Sequence, residues 1–140
     1  MDYQKKSYKL FILWIILLYI LLMFGGYYLA KIFPDITDAN LVKVEMMLIN
    51  IALLILIYMI YKTESIYWIN GMSYKEAKSM SSEKRKKYAW EHLIIFFQGT
   101  IISILYCIFS YFIKVPMPLD IIILTFIIFI SAFRTIPIKP

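Results

Sequence analysis

The chain has 140 residues, of which 62% are hydrophobic and 17% charged, with a formal net charge of +6 and a mean hydropathy of +0.75. Soluble domains carry about 45–50% apolar and about 25% charged residues, so a globule of this size has no way to hide so much apolar surface, and a disordered chain would be polar instead. The single cysteine, Cys107, excludes an internal disulfide, a CxxC redox pair and a cysteine-built zinc site, which leaves an integral membrane protein.

Lys5, Lys6 and Lys9 flank the first apolar segment, residues 10–33. A signal peptide has such a flank but also a small-residue cleavage site. Here Ala30 has Tyr28 two residues before it and the apolar run continues to Phe33, so an uncleaved first span is expected. A polar, turn-rich stretch from Lys31 to Glu45, with Pro34, Asp35, Asp38 and Asn40, leads to a second span at residues 46–61. Residues 62–91 form the only sizeable segment outside the apolar runs. Within it, Asn70-Gly71 signals a turn, and Ser73 with Glu76 has the spacing of a capping box. Ser81 or Ser82 is placed to cap a helix with Glu83 in its first turn, continuing through Lys84, Arg85, Lys86 and Lys87 as a basic stalk into the third span, residues 93–113. Lys114, Pro116 and Pro118 leave only a short connection, so the third span and a fourth at 117–133 should form an antiparallel hairpin.

A helix crosses a hydrocarbon core of about 30 Å with about 20 residues, so the fourth segment is short enough to call for tilt or local thinning. Only helices or a closed barrel satisfy their backbone in lipid, and the runs lack a barrel's period-two alternation. The expected fold class is therefore an all-α integral membrane protein, a single four-helix domain. No internal repeat supports an inverted-repeat transporter architecture.

Sidedness follows from charge. Twelve of the fifteen Lys and Arg fall in the amino-terminal tail, the 62–91 loop and the carboxyl tail; Lys31, Lys43 and Lys114 are assigned to the other two loops. Basic residues stay on the cytoplasmic side, so both termini and the helical loop are expected to face the cytoplasm of a plasma membrane. Tyr27, Tyr28, Tyr58, Tyr61, Tyr67, Trp68, Tyr88 and Trp90 suit the headgroup level. Sidedness and attraction to an anionic inner leaflet account for the net charge, so no nucleic-acid partner is needed.

Gly99, Ser103, Cys107 and Ser110 lie on one helical face, a stripe that lets another helix approach closely, within the chain or in a second protein. Asn50 and Gln98 are polar residues at membrane depth, expected to hydrogen-bond between helices or to line a path. Asp120 falls in the first turn of the fourth helix, where a carboxylate suits the dipole; the alternative is a proton or cation site. Lys84, Arg85, Lys86 and Lys87 are candidates for contact with anionic lipid, beside their role in topology. His92 has no second ligand by spacing and is expected to be an interfacial polar residue; no metal or cofactor is anticipated.

The chain lacks paired intramembrane aspartates, an acid in its first span, and Walker or Rossmann glycine patterns. The expectation is thus a non-enzymatic protein that works by helix packing on another membrane protein or on itself, as accessory subunit or immunity-type protein. The alternative is a small oligomeric transporter or channel subunit lined by Asn50, Gln98, Tyr106 or Asp120. The stretch from Trp68 to Leu93, WINGMSYKEAKSMSSEKRKKYAWEHL, resembles in style the cytoplasmic loops of small multi-pass proteins of Gram-positive bacteria. That resemblance implies no activity, though heavy use of isoleucine and lysine agrees with an AT-rich source.

Overall fold

The computed structural model describes residues 3, 5–69 and 71–139; it is 81% helix, and no strand occurs among the described residues. Four helices are long and apolar enough to cross a membrane: α1 (Lys9–Ile32), α2 (Asp38–Thr63), α4 (Ser82–Ile113) and α5 (Met117–Thr135). Between α2 and α4 lie a 3-10 turn at Ile66–Trp68 and the short helix α3 (Tyr74–Ser79).

Local chemistry sets the helix ends. Thr37 caps α2, its hydroxyl accepting the Asn40 amide at 3.4 Å. This start lies eight residues before residue 46, the expected beginning of the second span, and it corrects the placement of Lys43: the residue is inside a helix, not in a loop. An apolar-run criterion stops at a charge, whereas the helix needs only a capped end and a partner for that charge. Glu64 ends α2 in the left-handed conformation, at φ 55°. Ser73 and Glu76 form both bonds of the capping box of α3, at 2.8 and 3.1 Å, and Ser81 caps α4. Of the expected Asn70-Gly71 turn, Asn70 lies outside the described residues. Gly71 has φ +90°, a conformation open to glycine at little cost. Pro116 and Pro118 flank the first residue of α5, where the missing amide hydrogens have no helical acceptor to lose.

At about 1.5 Å per residue, the 32 residues of α4 extend roughly 48 Å, well beyond a core of about 30 Å, while the 19 residues of α5 nearly match it. The chain runs antiparallel from helix to helix, so both tails and the 64–81 connection meet at one end. There the Tyr67 hydroxyl accepts the Ser7 amide at 3.0 Å and donates to the Ser7 carbonyl at 2.8 Å. The Tyr3 hydroxyl donates to the Glu64 carbonyl at 2.8 Å. α2 packs chiefly on α4, α4 on α5, and α1 on α2.

Burial divides the molecule in two. At the end holding the tails, Ile57, Ile60, Ile66, Tyr67, Met72, Ala77, Tyr88, Ala89 and Leu93 form an apolar core. Toward the other end the buried positions are Lys43, Asn50, Ala52, Gly99, Thr100, Ser103, Ser110, Asp120, Leu124 and Ser131, nearly all small or polar. The division matches the two ways in which helices associate. Water drives apolar groups together, but lipid tails are as apolar as leucine, so helices in the bilayer associate through close backbone approach and hydrogen bonds. Gly99 lies against Ser131, whose hydroxyl occupies the place a β-carbon would need. Gly25 of α1 has only its own helix's Leu21 within reach. Gly99→Leu is expected to cost about 1–3 kcal/mol by overpacking. Gly25→Leu should leave stability unchanged, as read by titration of the detergent-solubilised protein with SDS.

Candidate functional site

Three helices bring five polar residues together near the end of the bundle that holds the two short connections. Lys43 on α2 lies one turn beyond Asn40; Tyr106 and Ser110 are one turn apart on α4; Asp120 sits in the first turn of α5. At 1.5 Å per residue, Asp120 lies about 5 Å along α5 and Lys43 about 7–8 Å along α2 from their first residues. Asp120 is completely buried and Lys43 is only 7% exposed. The Tyr106 hydroxyl donates to Asp120 Oδ1 at 2.9 Å, and the Ser110 hydroxyl donates to the same oxygen. Asp120 Oδ2 faces Lys43 Nζ at 3.3 Å, and that ammonium also reaches Asn40 Oδ1 at 3.5 Å.

In a medium of low dielectric either charge alone would be strongly unfavourable, and removal of one partner of such a pair costs about 3–5 kcal/mol. The pair is therefore first a constraint on packing. It also borders open space. A cavity of about 740 Å³ opens at the short-connection end between Thr37, Asn40, Lys43, Lys114 and Pro116. A second, of about 550 Å³, runs sideways between α2 and α4 past Lys43, Val44, Met47, Ile104 and Ile108. Ionisable residues at membrane depth beside a cavity mark a functional site by default.

The expected site residues are distributed unevenly around this centre. Gly99, Ser103 and Ser110 are buried on α4, and Cys107 is half-buried and lines the sideways cavity. The Ser103 hydroxyl is buried without a hydrogen-bond partner among the described residues. Asn50 is buried, but its amide donates to the Met46 carbonyl of its own helix at 3.0 Å, which corrects the interhelical bond expected of it. Gln98 is exposed on the outer surface of α4 and bridges no helices, a second correction. Asp120 does lie in a first turn, with its carboxylate directed at Lys43.

Of the basic stalk, Lys84, Lys86 and Lys87 are exposed. Arg85 is not. It is 7% exposed, with Nε and Nη2 both 2.8 Å from Glu64 Oε2, Nη1 on the Met80 carbonyl, and its guanidinium 4.2 Å from the centre of the Tyr3 ring. Its assignment to lipid contact is therefore corrected: Arg85 ties the 64–81 connection to α4. A signal was present, since Arg85 falls on one helical face with Tyr88, Ala89 and His92, all buried. His92 is buried among the helices, with Nδ1 2.9 Å from the Tyr88 carbonyl and its ring 4.5 Å from that of Tyr88. No group of three or more His, Cys, Asp or Glu converges among the described residues.

Lys43 is the functional candidate that sequence reasoning missed. Thr37 and Asp38 ahead of Asn40 form a helix-start pattern that places Lys43 inside α2, but its partner lies 77 positions away. No protein-family model, curated protein sequence or solved structure matches the chain.

Burial alone would raise the Glu64 carboxyl, but hydrogen bonds from Ser82 and Arg85, with the charges of Arg85 and Lys86, hold it below the ordinary carboxylate range. Its folded pKa thus lies below its unfolded one. The stability it contributes is complete above the ordinary carboxylate pKa and is lost as pH falls through the lowered folded value. Acidification should loosen the 64–81 connection, seen as a change in Trp68 fluorescence. Glu64→Gln should abolish that acid transition and destabilise the protein at neutral pH, because Arg85 stays buried without its counter-charge.

Proposed function

We propose that this chain is a non-enzymatic multi-pass protein of the plasma membrane, of Gram-positive type. It acts by helix packing, as an accessory subunit of a membrane assembly or as an immunity-type protein that occupies a membrane partner. The excess of basic residues in the tails and the long connection supports cytoplasmic termini, with Lys84, Lys86 and Lys87 next to an anionic inner leaflet.

The observation that carries this reading is α1. Its 24 residues are almost wholly apolar, and none is buried within the chain. It is held to α2 by a hydrogen bond from the Trp14 indole to the Ala52 carbonyl at 3.1 Å and by the approach of Glu45 to Gly26. Gly99 and Ser110 of α4 are taken up by Ser131 and Asp120 of α5, whereas the backbone at Gly25 stays open to a further helix. A helix so lightly held within its own chain is suited to bind a second protein. The reading also supports an exchange of surfaces: the partner meets α1 rather than the α4 stripe.

A second reading, a small oligomeric transporter or channel subunit, is favoured by the charge pair beside two cavities. One experiment separates them. The tagged protein is extracted in mild detergent and the intact complex is weighed and its subunits identified. The accessory reading expects a second membrane protein in stoichiometric amount, lost in Gly25→Leu while the chain itself stays folded. A closed homo-oligomer without a partner, with ion flux in proteoliposomes that falls in Asp120→Asn, would replace that reading with the second.

A further inference from the structure

The two cavities beside Lys43 share walls: Asn40, Lys43, Tyr111 and Phe112 line both. One has a mixed polar and apolar lining and lies at the helix ends; the other is almost wholly apolar and runs along the surface shared by α2 and α4. Both volumes fall within the roughly 300–1,000 Å³ typical of small-molecule sites. We propose that together they bind one anionic phospholipid, its phosphate beside Lys43 and Lys114 and an acyl chain in the groove between Val44, Met47, Ile104 and Ile108. This goes beyond the accessory reading and does not rest on it.

Charge selects the headgroup. Lys43 and Lys114 are the charged residues lining the outer cavity, and no carboxylate lines it. Asp120 behind Lys43 balances that lysine, so the surplus charge an anionic headgroup meets is that of Lys114, while the amine of a zwitterionic lipid finds no carboxylate on the lining. Lys43 has capacity to spare. An ammonium carries three donors; here one goes to Asn40 Oδ1, while Asp120 Oδ2 stands 3.3 Å away as an ion-pair partner without accepting a hydrogen bond, so donor capacity remains for a guest. Asp120 is saturated on its other oxygen by Tyr106 and Ser110, which keeps the lysine anchored at this depth. Lys114 ends α4 on the rim in the left-handed conformation, fully outside the packed interior.

Depth selects a lipid over a soluble phosphate compound. Lys114 sits at the helix end and Lys43 within two turns of one, the level of headgroups, and the groove continues from there toward the middle of the spans. A soluble anion would use the outer cavity alone and leave the groove unfilled.

The test uses the full chain in nanodiscs of equal parts phosphatidylglycerol and phosphatidylcholine, released into the gas phase for native mass spectrometry. One phosphatidylglycerol per chain should be retained in preference to phosphatidylcholine. Lys114→Ala, a rim substitution with no packing role, should reduce that retention about fivefold, the effect of one lysine at an anionic surface. Ile108→Trp, which fills the groove from a lipid-exposed position, should reduce it comparably, and Phe129→Trp on the far half of α5 should not. Equal retention of the two lipids, or undiminished phosphatidylglycerol in both Lys114→Ala and Ile108→Trp, would overturn the proposal. Full displacement by glycerol phosphate, which has the headgroup chemistry but no chains, would assign the site to a soluble anion and overturn it as well.

Discussion

A carboxylate shut away from water must find a counter-charge, and Asp120 finds it on a helix 77 residues away. The rest of the bundle is arranged around that requirement. Lys43 can reach Asp120 only if α2 lies against both α4 and α5, so the pair sets the mutual rotation of three helices. Tyr106 and Ser110, spaced one helical turn apart, then fix the face that α4 turns inward. The same face carries Gly99 and Ser103 farther along, so the polar contact and the close backbone approach reinforce one register. Directional bonds do here what apolar burial does in water.

At the opposite end the logic reverses. Ile60, Ile66, Ala77 and Ala89 are almost inaccessible, and the Glu64–Arg85 pair latches the 64–81 connection onto α4. This end builds an ordinary apolar core. The molecule thus holds two packing regimes in one continuous set of helices, and α2 and α4 belong to both. α1 belongs to neither, which is why it stands as the helix with surface to offer a partner.

The four spans were legible because hydropathy depends on composition over some twenty residues and not on contacts. The capping box of α3, the Ser81 cap of α4 and the short α4–α5 hairpin were equally legible, since their determinants are local. What escaped was whatever depends on a distant partner. Lys43 read as a loop residue because a lone charge argues against a span, and only Asp120 makes it tolerable. Arg85 read as one of four equivalent basic residues, yet helical periodicity places it alone on the buried face. Asn50 and Gln98 were recognised as polar but not for how they are accommodated, because one can bond its own helix and the other can point outward without leaving any trace in the pattern. Asp120 was singled out as the one acid with room to lie below the surface, and it is buried, while the cavities beside it depend on side chains of two helices and have no signature in either.

The central claim is that Lys43 and Asp120 are coupled across the interior of the bundle, and a double-mutant cycle measures it directly. Wild type, Lys43→Met, Asp120→Leu and the double variant would be unfolded reversibly in mixed detergent micelles. The single variants should each lose about 3–5 kcal/mol, and the double variant should lose far less than their sum, giving a coupling of about 2 kcal/mol or more. Additive losses, with a coupling near zero, would contradict the account and leave the arrangement of the three helices to be explained by the small-residue contacts alone.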